Sequence, residues 1–134
     1  MKKEKVWKET KKHKEWMNKE ISRLKSLFYL QGWEINIYYN RDPKGDASMV
    51  AADVTTTWRY RRVELNIYPR FWNEPEEDAR ACLTHEFVHI VTVQPFELLN
   101  AARNGRYISP DEVDDVKEHM TTWLEGIISR ANKV

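Results

Sequence analysis

The pentapeptide His85-Glu86-Phe87-Val88-His89 has the residue types and the spacing of a zinc-binding motif, H-E-x-x-H. On a helix, residues four apart lie on the same side, so the imidazoles of His85 and His89 can bind one Zn²⁺. Glu86 lies about 100° round the helix from His85, where it can hold and deprotonate a water molecule. The motif therefore predicts a metal-activated hydroxide, the nucleophile of zinc peptidases.

A catalytic zinc site needs three protein ligands and one open position, so the motif must be completed from elsewhere in the chain. A third histidine six residues after His89 is excluded because Pro95 occupies that position. The final predicted helix offers four further candidates: Glu112, Glu118, His119 and Glu125.

Position discounts two of these candidates. Glu112 is expected to complete a capping box with Ser109, and Glu125 lies near the end of the helix. Glu118 and His119 lie in the middle of the helix. His119 borders the main apolar stripe, whereas Glu118 lies closer to a second apolar edge, so helical periodicity leaves the choice between them open.

An oxyanion stabiliser is also needed opposite the water, and the candidates are His119, Tyr107 and Arg106. For each of the three, an ordinary polar role at the surface is the simpler interpretation. Cys82 lies two turns before His89 on the same helical side, where a small buried residue is a simpler interpretation than a metal ligand.

Hydrophobic spacing predicts the elements that position the motif. An amphipathic helix is expected from about Lys14 to Gly32, with apolar residues at Met17, Ile21, Leu24 and Phe28. Alternation then predicts strands over 33–39, 49–57 and 63–68, the last two joined as a hairpin. The segment Val63–Tyr68 is expected to be an edge strand that can pair with an extended peptide substrate.

The motif lies in a segment that is apolar on nearly every side, which predicts a buried central helix. Asn73 and Glu76 are expected to cap its start, and Pro95 to close it. A short helical piece over 96–102 precedes a last helix that begins at Ser109-Pro110 and ends near residue 130. The predicted order is one helix, three strands and two main helices.

Composition favours one domain over residues 1–134, with a charged arm over residues 1–13. The 22 Lys and Arg residues nearly balance 21 Asp and Glu residues, so no overall charge favours nucleic acid or an anionic membrane as a partner. The predicted peptidase motif instead implies a peptide or protein substrate. The single cysteine fits a reducing compartment. Neither a secretory signal nor an apolar run of about 20 residues is present, so we expect a cytoplasmic protein without a membrane span.

The segments THEFVHIV and KEHMTTWLEGII, with the preceding W-x-I-x-I and V-E-L-N-I strands, resemble the small phage-type zinc metallopeptidases. The likeness extends more distantly to the ImmA/IrrE-like and SprT-like minimal peptidases. It implies an α+β, minimal zincin-like fold. In that fold a three-stranded, mostly antiparallel sheet packs against an N-terminal helix, a central H-E-x-x-H helix and a C-terminal helix.

In such gluzincin-like proteins the third ligand is a glutamate on the following helix, with apolar residues and a leucine after it. Taking Leu124 as that leucine places Glu118 in the ligand position. The chain departs from the pattern at Thr121 and Thr122, where apolar residues are usual, and at His119 directly after the glutamate.

The resemblance thus implies a zinc-dependent metallopeptidase. Its Zn²⁺ is bound by His85, His89 and Glu118, and Glu86 is the general base. A competing hypothesis is a non-catalytic module, stabilised by zinc, that binds a protein or a nucleic acid. Glu86 favours the enzyme because a purely structural zinc site has no use for a base.

Overall fold

The computed structural model describes residues 10–41 and 50–132, which form four α-helices and three strands. The elements are α1 (Lys11–Leu27), β1 (Glu34–Tyr39), β2 (Ala52–Thr57), β3 (Arg62–Ile67), α2 (Glu76–Val91), α3 (Val93–Arg103) and α4 (Pro110–Ala131). Short 3₁₀ turns follow β2 and β3. The predicted α+β class is confirmed. Most of the predicted arm over residues 1–13 lies outside the described residues.

Helix α1 begins three residues earlier than its apolar spacing predicts. Thr10 accepts a hydrogen bond from the backbone N–H of His13, and His13 Nδ1 accepts one from the backbone N–H of Thr10. This reciprocal pair is a capping box in which a histidine takes the place of the usual Glu or Gln. The apolar face that follows, from Met17 to Leu24, is buried in the core.

The sheet is mixed, with the strand order β1-β3-β2, and this corrects the prediction of a mostly antiparallel sheet. β1 pairs with β3 in parallel, whereas β2 pairs with β3 in the antiparallel hairpin that the sequence predicts. The prediction that Val63–Tyr68 is an edge strand is wrong, because β3 lies in the centre. Its inward residues Val63, Leu65 and Ile67 have no exposed surface, as expected for a strand with neighbours on both sides.

Helix α2 has two distinct faces and is not buried all round, contrary to prediction. Leu83, Phe87 and Ile90 are fully buried, whereas His85 and His89 are exposed. The buried face packs on the core, in which the Phe87 ring lies 5.7 Å from the ring of Phe28. The apolar residues outside this face are small or partly accessible. The apolar composition of the segment therefore predicted a more deeply buried helix than the structure has.

Both ends of α2 differ from the prediction. The N-cap is Pro75, which makes no side-chain capping bond, and Asn73 instead ends the preceding 3₁₀ turn. The helix stops at Val91, and Thr92 joins it to α3, so that Pro95 lies in the first turn of α3. Proline is tolerated there because the first turn of a helix does not need its N–H groups for helical bonds.

Helix α4 starts as predicted and packs against α1 and α3. Ser109 caps it by accepting a hydrogen bond from the backbone N–H of Glu112 at 3.1 Å. The Trp123 indole donates to the carbonyl of Phe28, and Arg130 Nε donates to the carbonyl of Leu27 at 2.7 Å. Within the described residues, no helix is long and apolar enough to cross a bilayer.

A buried carboxylate joins α1 to α2. Glu20 is only 5% exposed, and its oxygens lie 3.0 Å from Arg23 Nη2 on α1 and 3.4 Å from Arg80 Nε on α2. Arg80 also pairs with Glu76 at 2.8 Å, and Glu76 accepts a hydrogen bond from the Trp16 indole. The two helices are therefore tied by polar bonds in addition to their apolar contact.

Replacing Glu20 by alanine is expected to lower the free energy of unfolding by about 1–3 kcal/mol, because two arginines lose their shared buried acceptor. The matched control is Glu15→Ala on the same helix, whose exposed pair with Lys11 at 3.8 Å contributes roughly 0.5 kcal/mol or less. Urea unfolding measures both variants. Equal destabilisation by the two substitutions would show that the Glu20 network does not hold α1 to α2.

Candidate metal centre

The two histidines of the motif converge on one point outside helix α2. His85 Nε2 and His89 Nε2 lie 3.1 Å apart, with the ring planes at 88° to each other. Two nitrogen ligands of a tetrahedral zinc ion lie about 3.3 Å apart, given Zn–N bonds of about 2.0–2.1 Å. Both rings are exposed. The pair is therefore spaced closely enough to share one metal ion that solvent can reach, and the same distance also fits a hydrogen bond between the two rings.

Glu86 lies between these exposed rings and the buried face of α2. Its side chain is 8% exposed. Burial raises the pKa of Glu86; the neighbouring His85 opposes this shift and the negative charge of Asp53 adds to it. A carboxyl group in such surroundings holds a proton more readily than one in water. The motif thus combines an accessible imidazole pair with a shielded carboxyl group on the next face of the same helix.

Asp53 on β2 is a neighbour of the motif that the sequence did not single out. Its carboxylate accepts hydrogen bonds from Asn66 at 3.0 Å and from the Tyr68 hydroxyl at 2.9 Å, both following from the β2–β3 pairing. β2 packs beside α2, which brings this carboxylate within electrostatic range of Glu86. Only the strand pairing reveals this proximity, because Asp53 and Glu86 are far apart in sequence.

The structure does not bring Glu118 to the histidine pair. Glu118 is exposed on α4, and the side chains of that helix that pack against the core are Trp123 and Ile127. Across residues 10–41 and 50–132, no three side chains of the His, Cys, Asp or Glu type form a group that could hold a metal ion. Of the three predicted ligands, the structure thus brings together only His85 and His89. The role of Glu118 stays a prediction.

The other candidate residues on and near α4 have separate contacts. His119 Nδ1 lies 2.7 Å from Gln94 Oε1, and its ring lies beside that of Trp123. Arg106 pairs with the Glu112 side chain at 3.1 Å, so this glutamate does not complete the predicted capping box with Ser109. Glu125 and Tyr107 are exposed. Among the described residues, no hydrogen bond or ring contact joins these side chains to the motif.

Cys82 is a free, partly buried thiol one turn before His85. Burial raises the pKa of Cys82 to about 11, and the negative charges of Glu86 and Glu74 act in the same direction. The thiolate, which is the form that binds metal, is therefore scarce at neutral pH. This agrees with the sequence-based interpretation of Cys82 as a small packed residue.

We expect iodoacetamide to alkylate Cys82 roughly 100-fold more slowly in the native protein at pH 8 than in urea. The thiolate fraction at pH 8 falls by about that factor when the pKa rises from the ordinary value of 9.0 to about 11. The control is the same thiol in the unfolded chain, measured by mass spectrometry. A native rate within a few-fold of the unfolded rate would contradict the burial of this thiol.

Comparisons of the chain with protein-family models, with curated proteins and with solved structures found no match.

Proposed function

We propose that this chain is a zinc-dependent metallopeptidase that hydrolyses peptide bonds. The observation that carries the proposal is the 3.1 Å approach of His85 Nε2 to His89 Nε2 beside the shielded carboxyl group of Glu86. Neutral imidazoles in this arrangement fit two ligand positions of a zinc ion. Glu118 is proposed as the third ligand from the family resemblance alone, since in the structure it does not form a group with the two histidines.

The chemistry divides between the metal and Glu86. When bound, zinc supplies a Lewis acid that polarises a carbonyl group and acidifies water. Glu86 accepts a proton from the attacking water and later delivers it to the amine of the departing peptide, so that it ends the cycle unchanged. Its low exposure limits proton exchange with bulk water during these two transfers.

Strand β2 is the proposed docking edge for the substrate. Within the described residues β2 pairs with β3 on one side only, and it packs beside the helix that carries the motif. An extended peptide added along the other side would form main-chain hydrogen bonds with β2. The proposed docking strand is therefore β2 and not β3 as predicted, because both edges of β3 are already paired.

Purified protein is expected to hold about one zinc ion per chain, measured by elemental mass spectrometry. His85→Ala and His89→Ala should each lose the metal. Glu86→Gln should keep it while hydrolysis of fluorescein-labelled casein falls by about 10²–10⁴-fold, since only the proton transfers are removed. Wild-type protein that contains no zinc would contradict the proposal. A Glu86→Gln variant with full activity would contradict the proposed peptidase mechanism, in which Glu86 is the general base, but would not contradict zinc binding.

The third ligand is tested separately by competition with a zinc chelator. Loss of a residue that only hydrogen-bonds to a metal ligand lowers metal affinity by roughly 10–100-fold. Glu118→Gln is expected to lower zinc affinity by more than this, because it removes a direct ligand and its charge. Glu125→Gln, on an exposed position two turns along the same helix, is the matched control and should leave the affinity unchanged. If His119→Gln loses the metal while Glu118→Gln keeps it, the third ligand is the histidine.

A further inference from the structure

A cleft of about 650 Å³ lies where the α1–β1 and β2–β3 connections approach α4, and no residue of the H-E-x-x-H motif lines it. Among the described residues its lining contains three tryptophans and three arginines but no carboxylate: Trp33, Trp58, Trp123, Arg59, Arg61 and Arg130. The nearby carboxylate of Glu97 accepts a hydrogen bond from the Trp58 indole. The cleft is therefore aromatic and positively charged.

Arg130 carries an unmet requirement for an acceptor. Its Nε donates to the carbonyl of Leu27, and its guanidinium lies 5.2 Å from the centre of the Tyr29 ring. Its Nη2 is buried without a hydrogen-bond partner. A buried charged donor left unpaired is costly. Arg130 lines the cleft and is only partly buried, so an anion bound there can pair with its guanidinium.

Backbone strain is concentrated at the same place. Among the described residues, two that are not glycine have a positive φ, Tyr29 at 56° and Arg61 at 51°, and both line the cleft. A bulky side chain in this left-handed region costs free energy and is found most often at turns and ligand sites. Tyr29 follows the end of α1 by two residues, and Arg61 caps the 3₁₀ turn after β2, so both lie in connections that line the cleft.

The aromatic side chains supply planar surface next to these cations. The rings of Trp33 and Trp123 lie 6.0 Å apart, and the guanidinium of Arg59 lies 5.7 Å from the Trp58 ring centre. All three tryptophans remain partly accessible. Indole rings stack on nucleobases, and arginines pair with phosphates, so the two kinds of group together match a nucleotide.

We propose that this cleft binds nucleotide units through base stacking on tryptophan and phosphate pairing with arginine. The ligand is either a free nucleotide or a stretch of single-stranded nucleic acid, which share this chemistry. The proposal does not depend on the zinc peptidase. An acidic peptide would use the three arginines but leave the indole surfaces without a planar partner, and the chain's net charge of +1 does not oppose a local basic site.

Binding is tested by the fluorescence anisotropy of a fluorescein-labelled thymidine octamer, with dTMP and AMP as competitors. If three arginines meet phosphates, affinity should fall about 20-fold between 50 and 200 mM salt. Competition by the mononucleotides at millimolar concentration supports a free nucleotide as the ligand. Competition by unlabelled octamer alone supports a single strand. EDTA should leave the affinity unchanged, which separates this site from the metal centre.

Variants locate the site. Arg59→Gln should weaken binding and reduce the salt slope by about 0.7, and Trp58→Leu should weaken binding at least about fivefold. Arg103→Gln, an exposed arginine on α3 that does not line the cleft, is the matched control and should change neither quantity. Thermal melts confirm that each variant is folded.

Three results would overturn the proposal. The first is no binding of octamer or mononucleotide at millimolar concentration. The second is equal binding by the Arg59→Gln and Arg103→Gln variants. The third is tighter binding of an octaglutamate peptide than of the octamer, which would assign the cleft to acidic peptides.

Discussion

Burial of one face of helix α2 fixes where every chemically active side chain of the motif points. Leu83, Phe87 and Ile90 have no exposed surface and lock the rotation of the helix about its own axis. From the helical repeat, Glu86 then lies about 60° and His89 about 120° from Leu83. The glutamate is therefore held at the boundary of the core, while the histidine pair faces outward. A change in this packing would turn all of these groups together.

That boundary position gives Glu86 an unusual environment. The helix places it in low dielectric, and the β2–β3 pairing brings the carboxylate of Asp53 close enough to affect it. Burying a carboxyl group near a like charge opposes folding, and such costs persist in proteins mainly where function requires them. The same arrangement sets a carboxyl group beside two imidazoles at the surface. The fold thus supports the proposed catalytic role through packing as well as through sequence.

Local signals in the sequence predicted local structure well, whereas long-range pairing was beyond them. The Ser109 cap and the β2–β3 hairpin follow from residues close together in the chain, and both are confirmed. The central position of β3 depends on its parallel pairing with β1, which alternation of apolar residues cannot reveal. Likewise Pro95 was expected to end the motif helix, but Thr92 had already interrupted it. The proposed third metal ligand depends on how α4 is rotated and is therefore equally hard to predict from periodicity.

The basic cleft could not be predicted from the sequence for a similar reason. Its arginines come from segments as distant as Arg59 and Arg130, and they are hidden in a total charge of +1. The proposed peptidase centre, by contrast, is formed mainly by five consecutive residues. The central claim about it is that His85 and His89 bind one zinc ion. X-ray absorption at the zinc edge of the purified protein tests that claim most directly. The expected result is a first shell of nitrogen and oxygen at about 2.0–2.1 Å with scattering from two imidazoles. A sulfur shell near about 2.3 Å, or scattering from no imidazole, would contradict it.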